Sequence, residues 1–580
     1  MGNVNLKING LNVTAPAGST ILEAAQAAGI KIPTLCYLKE INEIGACRMC
    51  VVEVKGARNL VASCVHPVAE GMEVQTNTPK LLDSRRRTLE LLLSNHDKKC
   101  LSCVRSGQCE LQELCQELGV TDENYFEGET THYELDESAV HMVRDNNKCI
   151  LCRRCSAVCE KVQSVGVIGP NNRGFATFIG SPFEMGLGDT SCVGCGQCIA
   201  ACPTGALYEK SNIDDVLAAI ADETKHVVVQ PAPSVRAALG EEFGYPMGTD
   251  VEGKMAAALR RIGFDKVFDT NFSADLTIME EAHEFLDRVK NKGVLPLMTS
   301  CSPGWVKYCE HYYPDQLDHL SSCKSPQQMF GAITKTYYAE KMNIAPEDIV
   351  CVSVMPCTAK KFEIQREDQD AGGVPDVDIS ITTRELARLI RKVGINFRSL
   401  PDEGFDDPLG ESTGAGVIFG ATGGVMEAAL RTAVEELTGE TLEKVEFTEV
   451  RETEGIKEAV YNVAGMDVKV AVASGLSNAK IIMDKIRAKE ADYHFVEIMC
   501  CPGGCVNGGG QPQVHADVRN FEDVKAIRAK VLYDNDAAKT LRKSHENPSI
   551  KRVYSEYLGE PGSEKAHHIL HTTYVKRTVN

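Results

Sequence analysis

Two adjacent runs of cysteine constrain this chain more than any other feature of its sequence. The pattern C-x2-C-x2-C-x3-C occurs at residues 149–159 and again at 192–202. The chain of 580 residues has 24 cysteines, and sixteen of them lie between Cys36 and Cys202. Its first ten residues contain no apolar signal core, so we expect a cytoplasmic location, where disulfides are rare. So many cysteines in a reducing compartment predict metal sites.

The two runs have the spacing of a bacterial two-cluster ferredoxin, in which the fourth cysteine of each run binds the other cluster. We therefore predict a ferredoxin-like α+β domain over residues 141–209 with two [4Fe–4S] clusters. The ligands predicted for one cluster are Cys149, Cys152, Cys155 and Cys202. Those predicted for the other cluster are Cys192, Cys195, Cys198 and Cys159. Two zinc sites are the alternative, and the repeated spacing argues against them.

Residues 1–80 predict a β-grasp domain that holds a [2Fe–2S] cluster. Val4–Ile8 and Leu11–Thr14 alternate as two strands around the turn signal Asn9-Gly10, and a helix is predicted over Ile21–Ala28. Four predicted ligands follow with the spacing C-x10-C-x2-C-x13-C, namely Cys36, Cys47, Cys50 and Cys64. A structural zinc site also fits this spacing. The long cysteine loop after a β-grasp start favours a plant-ferredoxin-type cluster.

One histidine and three cysteines define the next predicted site, within residues 81–140. A helix predicted over Ser84–Ser94 leads into the spacing H-x3-C-x2-C-x5-C. One imidazole and three thiolates can hold a third [4Fe–4S] cluster, with the ligands His96, Cys100, Cys103 and Cys109. The alternative is that His96 is a cap or a surface residue. Cys115 is left over on a helical stretch and is predicted to be buried without a ligand role.

The pattern of apolar residues along the sequence changes from about Lys225. Apolar runs of strand length alternate with helical patterns, which is typical of parallel sheets covered by helices. We therefore predict an α/β domain over residues 210–520, with strands at His226–Gln230, Lys266–Asp269, Val294–Met298, Ile349–Val354, Val468–Val472 and Phe495–Met499. Ligands of open α/β sheets lie beyond the carboxyl ends of the strands. A path of four clusters should end at a redox site there.

Three motifs in this second region resemble those of [FeFe]-hydrogenases. The family signatures are TSCCPxW, MPCxxKxxE and ExMxCxxGCxxG. This chain has TSCSPGW at 299–305, MPCTAKKFE at 355–363 and EIMCCPGGCVNG at 497–508. The resemblance covers essentially the whole chain, and residues 521–580 resemble the separate small subunit of periplasmic members. It implies parallel-sheet lobes around an H-cluster, which is a [4Fe–4S] cubane joined to a di-iron unit carrying CO, CN⁻ and an azadithiolate bridge.

The resemblance also implies roles for individual residues. The cubane ligands would be Cys357, Cys501 and Cys505, with Cys505 bridging to the di-iron unit. The residues implied around the diatomic ligands are Pro233, Ser234, Gln327, Met355, Lys360 and Met499. The proton relay implied by the family is formed by Cys301, Glu281, Ser321 and Glu284. Glu281 and Glu284 are three residues apart on a predicted helix and share a face, which on pattern alone would more often be a solvated one.

The sequence departs from the family at one cubane ligand. The second cysteine of the first signature is replaced here by Ser302, and a serine oxygen is a poor substitute for thiolate on iron. Three explanations stay open. Ser302 ligates as an alkoxide, Cys301 shifts into the ligand role, or an extra thiol compensates, for which Cys323 and Cys500 are candidates. Iron in such clusters prefers soft sulfur donors, which favours a thiol as the replacement for the missing cubane ligand.

The predicted activity is reversible H₂ oxidation and proton reduction by an iron-only hydrogenase. The four-cluster arrangement is similar to the catalytic subunit of NAD(P)-linked, electron-bifurcating hydrogenases, which implies ferredoxin, a flavin- and NAD(P)-binding diaphorase subunit and a small [2Fe–2S] subunit as partners. The alternative is a non-catalytic iron–sulfur subunit like that of respiratory complex I. A net charge of −19 argues against nucleic acid. No stretch approaches 18 apolar residues, so no membrane span is predicted.

Overall fold

The computed structural model describes residues 2–442, 445–451, 455–463 and 465–579. No helix in these ranges combines the length and the apolar character needed to cross a bilayer. The sheets and helices follow the order of the predicted segments along the chain. They run from a β-rich start through small cysteine-rich units to a large α/β region.

The N-terminal region forms a five-stranded sheet in the order β2-β1-β5-β3-β4, with one packed helix, α1. Its elements are β1 (Asn3–Ile8), β2 (Leu11–Pro16), α1 (Ile21–Ala27), β3 (Val51–Val54), β4 (Val61–Ala62) and β5 (Glu73–Gln75). The predicted hairpin is confirmed, since β1 and β2 pair in antiparallel register around Asn9 and Gly10, both with positive φ. Thr20 and Glu23 form a capping box that starts α1 where predicted.

Two helices and a compact two-cluster unit follow. They comprise α2 (Pro79–Leu93), α3 (Glu110–Glu117), β6 (Met142–Arg144), α4 (Arg154–Ala157), β7 (Gly169–Asn171), β8 (Phe178–Gly180), α5 (Gln197–Ala201) and β9 (Leu207–Glu209). The predicted start of α2 at Ser84 is wrong by five residues. Thr78 caps the Leu81 amide (3.4 Å) and Pro79 takes the first helical position, where its missing N–H has no cost.

The large region contains two four-stranded sheets. The first has the order β11-β10-β13-β14, and all its pairs are parallel. The second has the order β12-β17-β16-β15, and its edge strand β15 is antiparallel. The strands are β10 (His226–Pro231), β11 (Lys266–Val267), β12 (Leu297–Met298), β13 (Ile349–Met355), β14 (Ile379–Thr382), β15 (Ile456–Val463), β16 (Met466–Ser474) and β17 (Phe495–Met499).

Helices cover both sheets and fill the space between them. They are α6 (Ile213–Ala221), α7 (Pro233–Arg236), α8 (Glu252–Ile262), α9 (Thr270–Lys290), α10 (Pro303–Tyr312), α11 (Pro326–Ile333), α12 (Ala339–Met342), α13 (Lys360–Glu363), α14 (Thr383–Lys392), α15 (Gly414–Ile418), α16 (Gly424–Thr438) and α17 (Leu476–Arg487). The chain segments that contain Pro233, Pro356 and Cys500 directly follow the carboxyl ends of β10, β13 and β17.

The last part of the chain is helical and packs onto the large region. It contains α18 (Ala516–Arg519), α19 (Val524–Ala538), α20 (Pro548–Val553) and α21 (Glu564–Leu570). Ile550, Leu558 and Leu570 share a buried cluster with Phe268 and Phe330. This segment belongs to the same hydrophobic core as the first sheet, since its apolar face is covered by that sheet's helices.

Candidate active site

The two ferredoxin-like cysteine runs close around two separate cavities. One cavity is lined by Cys149, Cys152, Cys155 and Cys202. The other is lined by Cys159, Cys192, Cys195 and Cys198. The fourth cysteine of each run thus faces the cavity of the other run, as the spacing predicts. The donor set of four thiols fits a [4Fe–4S] cluster in each cavity.

The four cysteines predicted for the [2Fe–2S] site also come together. The sulfurs of Cys50 and Cys64 are 3.2 Å apart, and the Cys47 amide donates to the sulfur of Cys36 (3.5 Å). Pairing with Cys36 lowers the pKa of Cys47 to about 6, which favours the thiolate form that iron binds. Three of the four thiols are buried and Cys47 is half-buried. This chemistry fits a four-thiolate cluster.

The His96 site is the most exposed of the predicted cluster sites. Burial lowers the pKa of His96 to about 4, so its imidazole is neutral and able to donate a lone pair. Its Nδ1 is buried without a hydrogen-bond partner among the described residues, as a metal ligand would be. Cys103 and Cys109 are half-buried, and Cys100 is the one cysteine of the described chain that is exposed. The sequence alternative of a surface histidine is not supported.

Contacts between these predicted sites join them in a branched arrangement. The Asn42 side chain donates to the carbonyl oxygens of Cys36 (2.7 Å) and Cys152 (3.0 Å), and so joins the [2Fe–2S] loop to the first ferredoxin cavity. The Cys109 sulfur lies 3.7 Å from the Pro203 carbonyl oxygen, directly after Cys202. The [2Fe–2S] and His96 sites therefore both adjoin the Cys152–Cys202 cavity.

The second ferredoxin cavity adjoins the large region. Gln197 donates to the Asn507 carbonyl oxygen (2.8 Å), and Thr358 donates to that of Gly194 (2.7 Å). A Cβ atom on Gly509 would lie 2.2 Å from the Cys195 carbonyl oxygen, so only glycine permits this approach. The path along the clusters thus ends beside the cysteine motif at 497–508.

A cavity lies beyond the carboxyl ends of β10, β13 and β17. All six residues predicted to surround the diatomic ligands line it, namely Pro233, Ser234, Gln327, Met355, Lys360 and Met499. Cys301, Cys357 and Cys505 line the same cavity. Its walls are almost entirely apolar apart from these thiols and a few polar groups. Such a cavity fits a small, poorly hydrated metal unit with a few directed hydrogen-bond donors.

Lys360 is the cationic side chain at this cavity, and three groups hold its ammonium. It donates to the Cys301 carbonyl oxygen (3.1 Å), the Ser325 hydroxyl (2.8 Å) and Glu363 (2.8 Å). Glu363 also accepts from the Gln327 amide (2.9 Å). The family motifs alone imply no role for Ser325 or Glu363. The signal was present, because Glu363 is the last letter of the MPCTAKKFE motif and lies three residues beyond Lys360.

A chain of polar side chains leads away from Cys301. Burial raises the pKa of the Cys301 thiol well above its usual range, and the neighbouring Glu281 carboxyl adds to the rise. Burial also raises the pKa of Glu281 to about 8, with a further contribution from Glu284. The Ser321 hydroxyl donates to Glu284 (3.0 Å), and its hydrogen bond with Glu281 partly offsets that rise. The four relay residues implied by the resemblance therefore lie in sequence from the cavity outward.

Glu284 marks the outer end of this chain and the C-terminal segment covers it. Arg288 donates to Glu284 (2.6 Å), and the Ser322 amide donates to the same carboxylate (3.0 Å). His571 contacts the Ser322 hydroxyl (2.8 Å) and Glu280 (3.1 Å), so it packs as a buried helix-end residue. His571, at the end of residues 564–571, thus lies against the outer end of this chain of side chains.

The cysteines expected at the cubane gather at the inner wall of the cavity. Burial raises the pKa of the Cys357 thiol well above its usual range, and the nearby thiols of Cys501 and Cys505 add to the rise. Cys501 is only 6% exposed, and Cys357 and Cys505 are half-buried. Three thiols that converge beside an apolar cavity fit three corners of a [4Fe–4S] cubane.

Comparisons with known families follow this arrangement from end to end. Residues 225–509 match the iron only hydrogenase large subunit, C-terminal domain, and residues 522–577 match the iron hydrogenase small subunit. Residues 2–79 match a 2Fe-2S iron-sulfur cluster binding domain. Residues 85–124 match the NADH-ubiquinone oxidoreductase-G iron-sulfur binding region, and residues 148–206 match a 4Fe-4S dicluster domain.

Individual relatives cover the whole chain. It is 53% identical to the NADP-reducing hydrogenase subunit HndD of Solidesulfovibrio fructosivorans, over 100% of both proteins. It is 44% identical to iron hydrogenase 1 of Clostridium pasteurianum, over 98% of this chain and 99% of that protein. A solved structure of the apo [FeFe]-hydrogenase HydA1 of Chlamydomonas reinhardtii, in a single-residue variant, matches with 44% identity and a TM-score of 0.56, over 64% of this chain and 100% of that one. These matches confirm the resemblance found in the motifs, and the chain belongs to the iron-only hydrogenase family.

Proposed function

We propose that this chain is the catalytic subunit of an NAD(P)-linked hydrogenase that interconverts H₂ with protons and electrons. The observation that carries the proposal is the apolar cavity, with Lys360, Cys301, Cys357 and Cys505 on its walls and Cys501 next to Cys357. When bound, an H-cluster supplies the redox chemistry of H₂ at its di-iron unit. Cys357, Cys501 and Cys505 would hold its cubane.

The protein's own side chains divide the remaining work. Lys360 would offer a positive charge to the anionic cyanides of the di-iron unit, which would be a favourable charge-assisted contact in an apolar cavity. Pro233, Ser234, Gln327, Met355 and Met499 would shape the cavity around that unit. Cys301 would exchange protons at the cavity wall, and Glu281, Ser321 and Glu284 would pass them to the surface. A thiol and a carboxyl with raised pKa values both hold a proton near neutral pH, so each can donate it.

Four accessory clusters would carry the electrons, at the three [4Fe–4S] sites and the [2Fe–2S] site described above. The proposed domains are residues 1–80, 81–140, 141–209, 210–520 and 521–580. The proposed partners are a flavin- and NAD(P)-binding diaphorase subunit, a small [2Fe–2S] subunit and ferredoxin. The name of the relative from Solidesulfovibrio fructosivorans, an NADP-reducing hydrogenase subunit, supports NADP as the nucleotide. The 24 cysteines, none of them paired, suit a reducing cytoplasm.

A non-catalytic electron-transfer subunit is the competing proposal. It accounts for residues 1–209 but gives no reason for the cavity, the Lys360 network or the buried relay. The family match over residues 225–509 also favours the hydrogenase.

The test is H₂ chemistry in the matured full-length protein. We expect H₂ evolution from a reduced dye and H₂ oxidation by an oxidised dye once infrared bands of CO and CN⁻ show that the di-iron unit is present. Reduction of NADP⁺ by H₂ should require the flavin partner as well. Protein that shows those bands and yet neither evolves nor consumes H₂ would contradict the proposal.

A further inference from the structure

The replacement of a family cysteine by Ser302 leaves the proposed cubane one thiolate short, and a different cysteine, Cys500, lies directly beside Ser302. Cys500 follows β17, while Ser302 precedes α10, almost 200 residues earlier. The two residues are nevertheless side by side, because the Cys500 amide donates to the Ser302 hydroxyl oxygen (3.2 Å). That hydroxyl is therefore engaged by a backbone donor.

The sulfur of Cys500 lies between Cys501, an expected cubane ligand, and Cys195 of the second ferredoxin run. Its thiol is within hydrogen-bonding reach of the Cys501 sulfur, although the two residues are consecutive in the chain. Cys501 in turn neighbours Cys357 and Cys505. Cys500 is 4% exposed, and a Cβ atom on Gly304 would lie 2.7 Å from its sulfur. The missing side chain of Gly304 therefore leaves the space that the Cys500 sulfur fills.

The other two candidate thiols have different surroundings. Cys301 lines the cavity on the side of Glu281 and Lys360, and its carbonyl oxygen accepts from Lys360 (3.1 Å). Cys323 lies on the proton path, with its sulfur 3.8 Å from Glu284. The charged groups that raise the pKa of the Cys323 thiol are Glu284, Glu281 and Glu280, all on the side of the proton path rather than of the cubane. Cys323 therefore does not fit the role that the sequence left open for it.

We propose that Cys500 is the fourth protein ligand of the cubane, and that Ser302 instead hydrogen-bonds the Cys500 backbone. Thiolate is the softer donor and the one that iron–sulfur clusters use, so a thiol beside the vacated position should displace a hydroxyl. Cys500 also contacts Cys195, a proposed ligand of the second ferredoxin cluster. The cubane would then adjoin its electron donor through two neighbouring cysteine sulfurs. This inference rests on the proposed function, since it assumes a cubane at this site.

The test uses the full-length protein, produced anaerobically in a host that cannot build the di-iron unit. The cubane and the four accessory clusters then hold about 18 iron atoms per chain. Cys500→Ala should lose about four of them, together with the paramagnetic resonance signal of the reduced cubane. Ser302→Ala should keep both. Cys309→Ala is a matched control, because Cys309 is a buried thiol of α10 whose sulfur lies 3.7 Å from the Tyr313 carbonyl oxygen, away from the proposed ligands.

A double variant makes the result decisive. Ser302→Cys combined with Cys500→Ala restores the family arrangement and should regain the iron and the signal. Loss of cubane iron in Ser302→Ala or in Cys301→Ala, with Cys500→Ala unaffected, would overturn the proposal. Retention of the cubane in all the single variants would also overturn it. The same holds if Cys500→Ala loses accessory iron as well as cubane iron and the double variant fails to recover the cubane. A parent protein that holds only about 14 iron atoms would instead refute the proposed function.

Discussion

Replacing Glu281 with glutamine should make the protein more stable and nearly inactive. Glu281 is 2% exposed, and burial raises its pKa from 4.5 to about 8. Because the folded pKa lies above the unfolded value, the carboxyl's contribution to stability is complete below about pH 4.5 and is lost as the pH rises toward 8. At pH 7, about 2.5 pH units above the unfolded pKa, the carboxyl has lost about 3 kcal/mol of its contribution to stability. Each pH unit in this range is worth about 1.36 kcal/mol.

Glutamine removes that cost and keeps the size and hydrogen-bonding capacity of the side chain. The variant should therefore unfold at a higher temperature than the parent, and the difference should be larger at pH 8 than at pH 6. Since an amide cannot pass a proton, H₂ turnover should fall by about 10²- to 10⁴-fold in both directions. Thermal unfolding followed by circular dichroism, paired with anaerobic H₂ assays, measures both effects.

Glu284→Gln is the matched control for stability. Glu284 accepts from Arg288 (2.6 Å), Ser321 (3.0 Å) and the Ser322 amide (3.0 Å), so losing its charge weakens real contacts. This variant should lose H₂ turnover too, but it should unfold at a lower temperature than the parent. If the stability difference between Glu281→Gln and the parent does not grow with rising pH, the Glu281 carboxyl is not held protonated in the folded protein. If it keeps full turnover, protons leave the cavity by another route.

Three further changes separate the proton, cofactor and partner roles. Cys301→Ala should lose at least about 10²-fold in H₂ turnover while the infrared bands of CO and CN⁻ persist, and lost bands would show a ligand role instead. Lys360→Met should keep the cubane iron but lose the CO and CN⁻ bands, because the anionic unit loses its cation; unchanged bands would contradict this. Leu101, fully exposed beside Cys100, should be a docking residue, so Leu101→Glu should slow NADP⁺ reduction without changing dye-linked turnover.

The cluster sites could be predicted from the sequence because their ligands are close along the chain. A C-x2-C step fixes two sulfurs within one loop whatever the surrounding fold, and two such runs fix the exchange of the fourth cysteine. The cavities lined by Cys202 and Cys159 agree with that geometry. The residues around the large cavity could be placed only through the family motifs, because they come from the ends of separate strands.

The strands were predicted well where both faces are buried and poorly at the edges. Ile349–Met355 and Phe495–Met499 lie inside the sheets and are apolar except for Ser353 and Glu497, and the sequence predicts a strand at each. Ile456–Val463 was missed because it is an antiparallel edge strand whose exposure alternates along its length. The strand predicted from Val294 begins only at Leu297, since Pro296 has no N–H to donate to the ladder.

The site contains interactions that no local pattern could reveal. Glu363 holds Lys360 and Gln327 in place, yet only Lys360 and Gln327 were assigned roles in the sequence. Ser302 and Cys500 meet across almost 200 residues, so a serine that looks like a defect at one motif is answered by an extra cysteine in another. Ser302 alone would remove a cubane ligand, and Cys500 alone would add an unused buried thiol beside a cluster. Together they keep four thiolates at the cubane, which is why a departure from a family signature is best judged against its neighbours in space rather than in sequence.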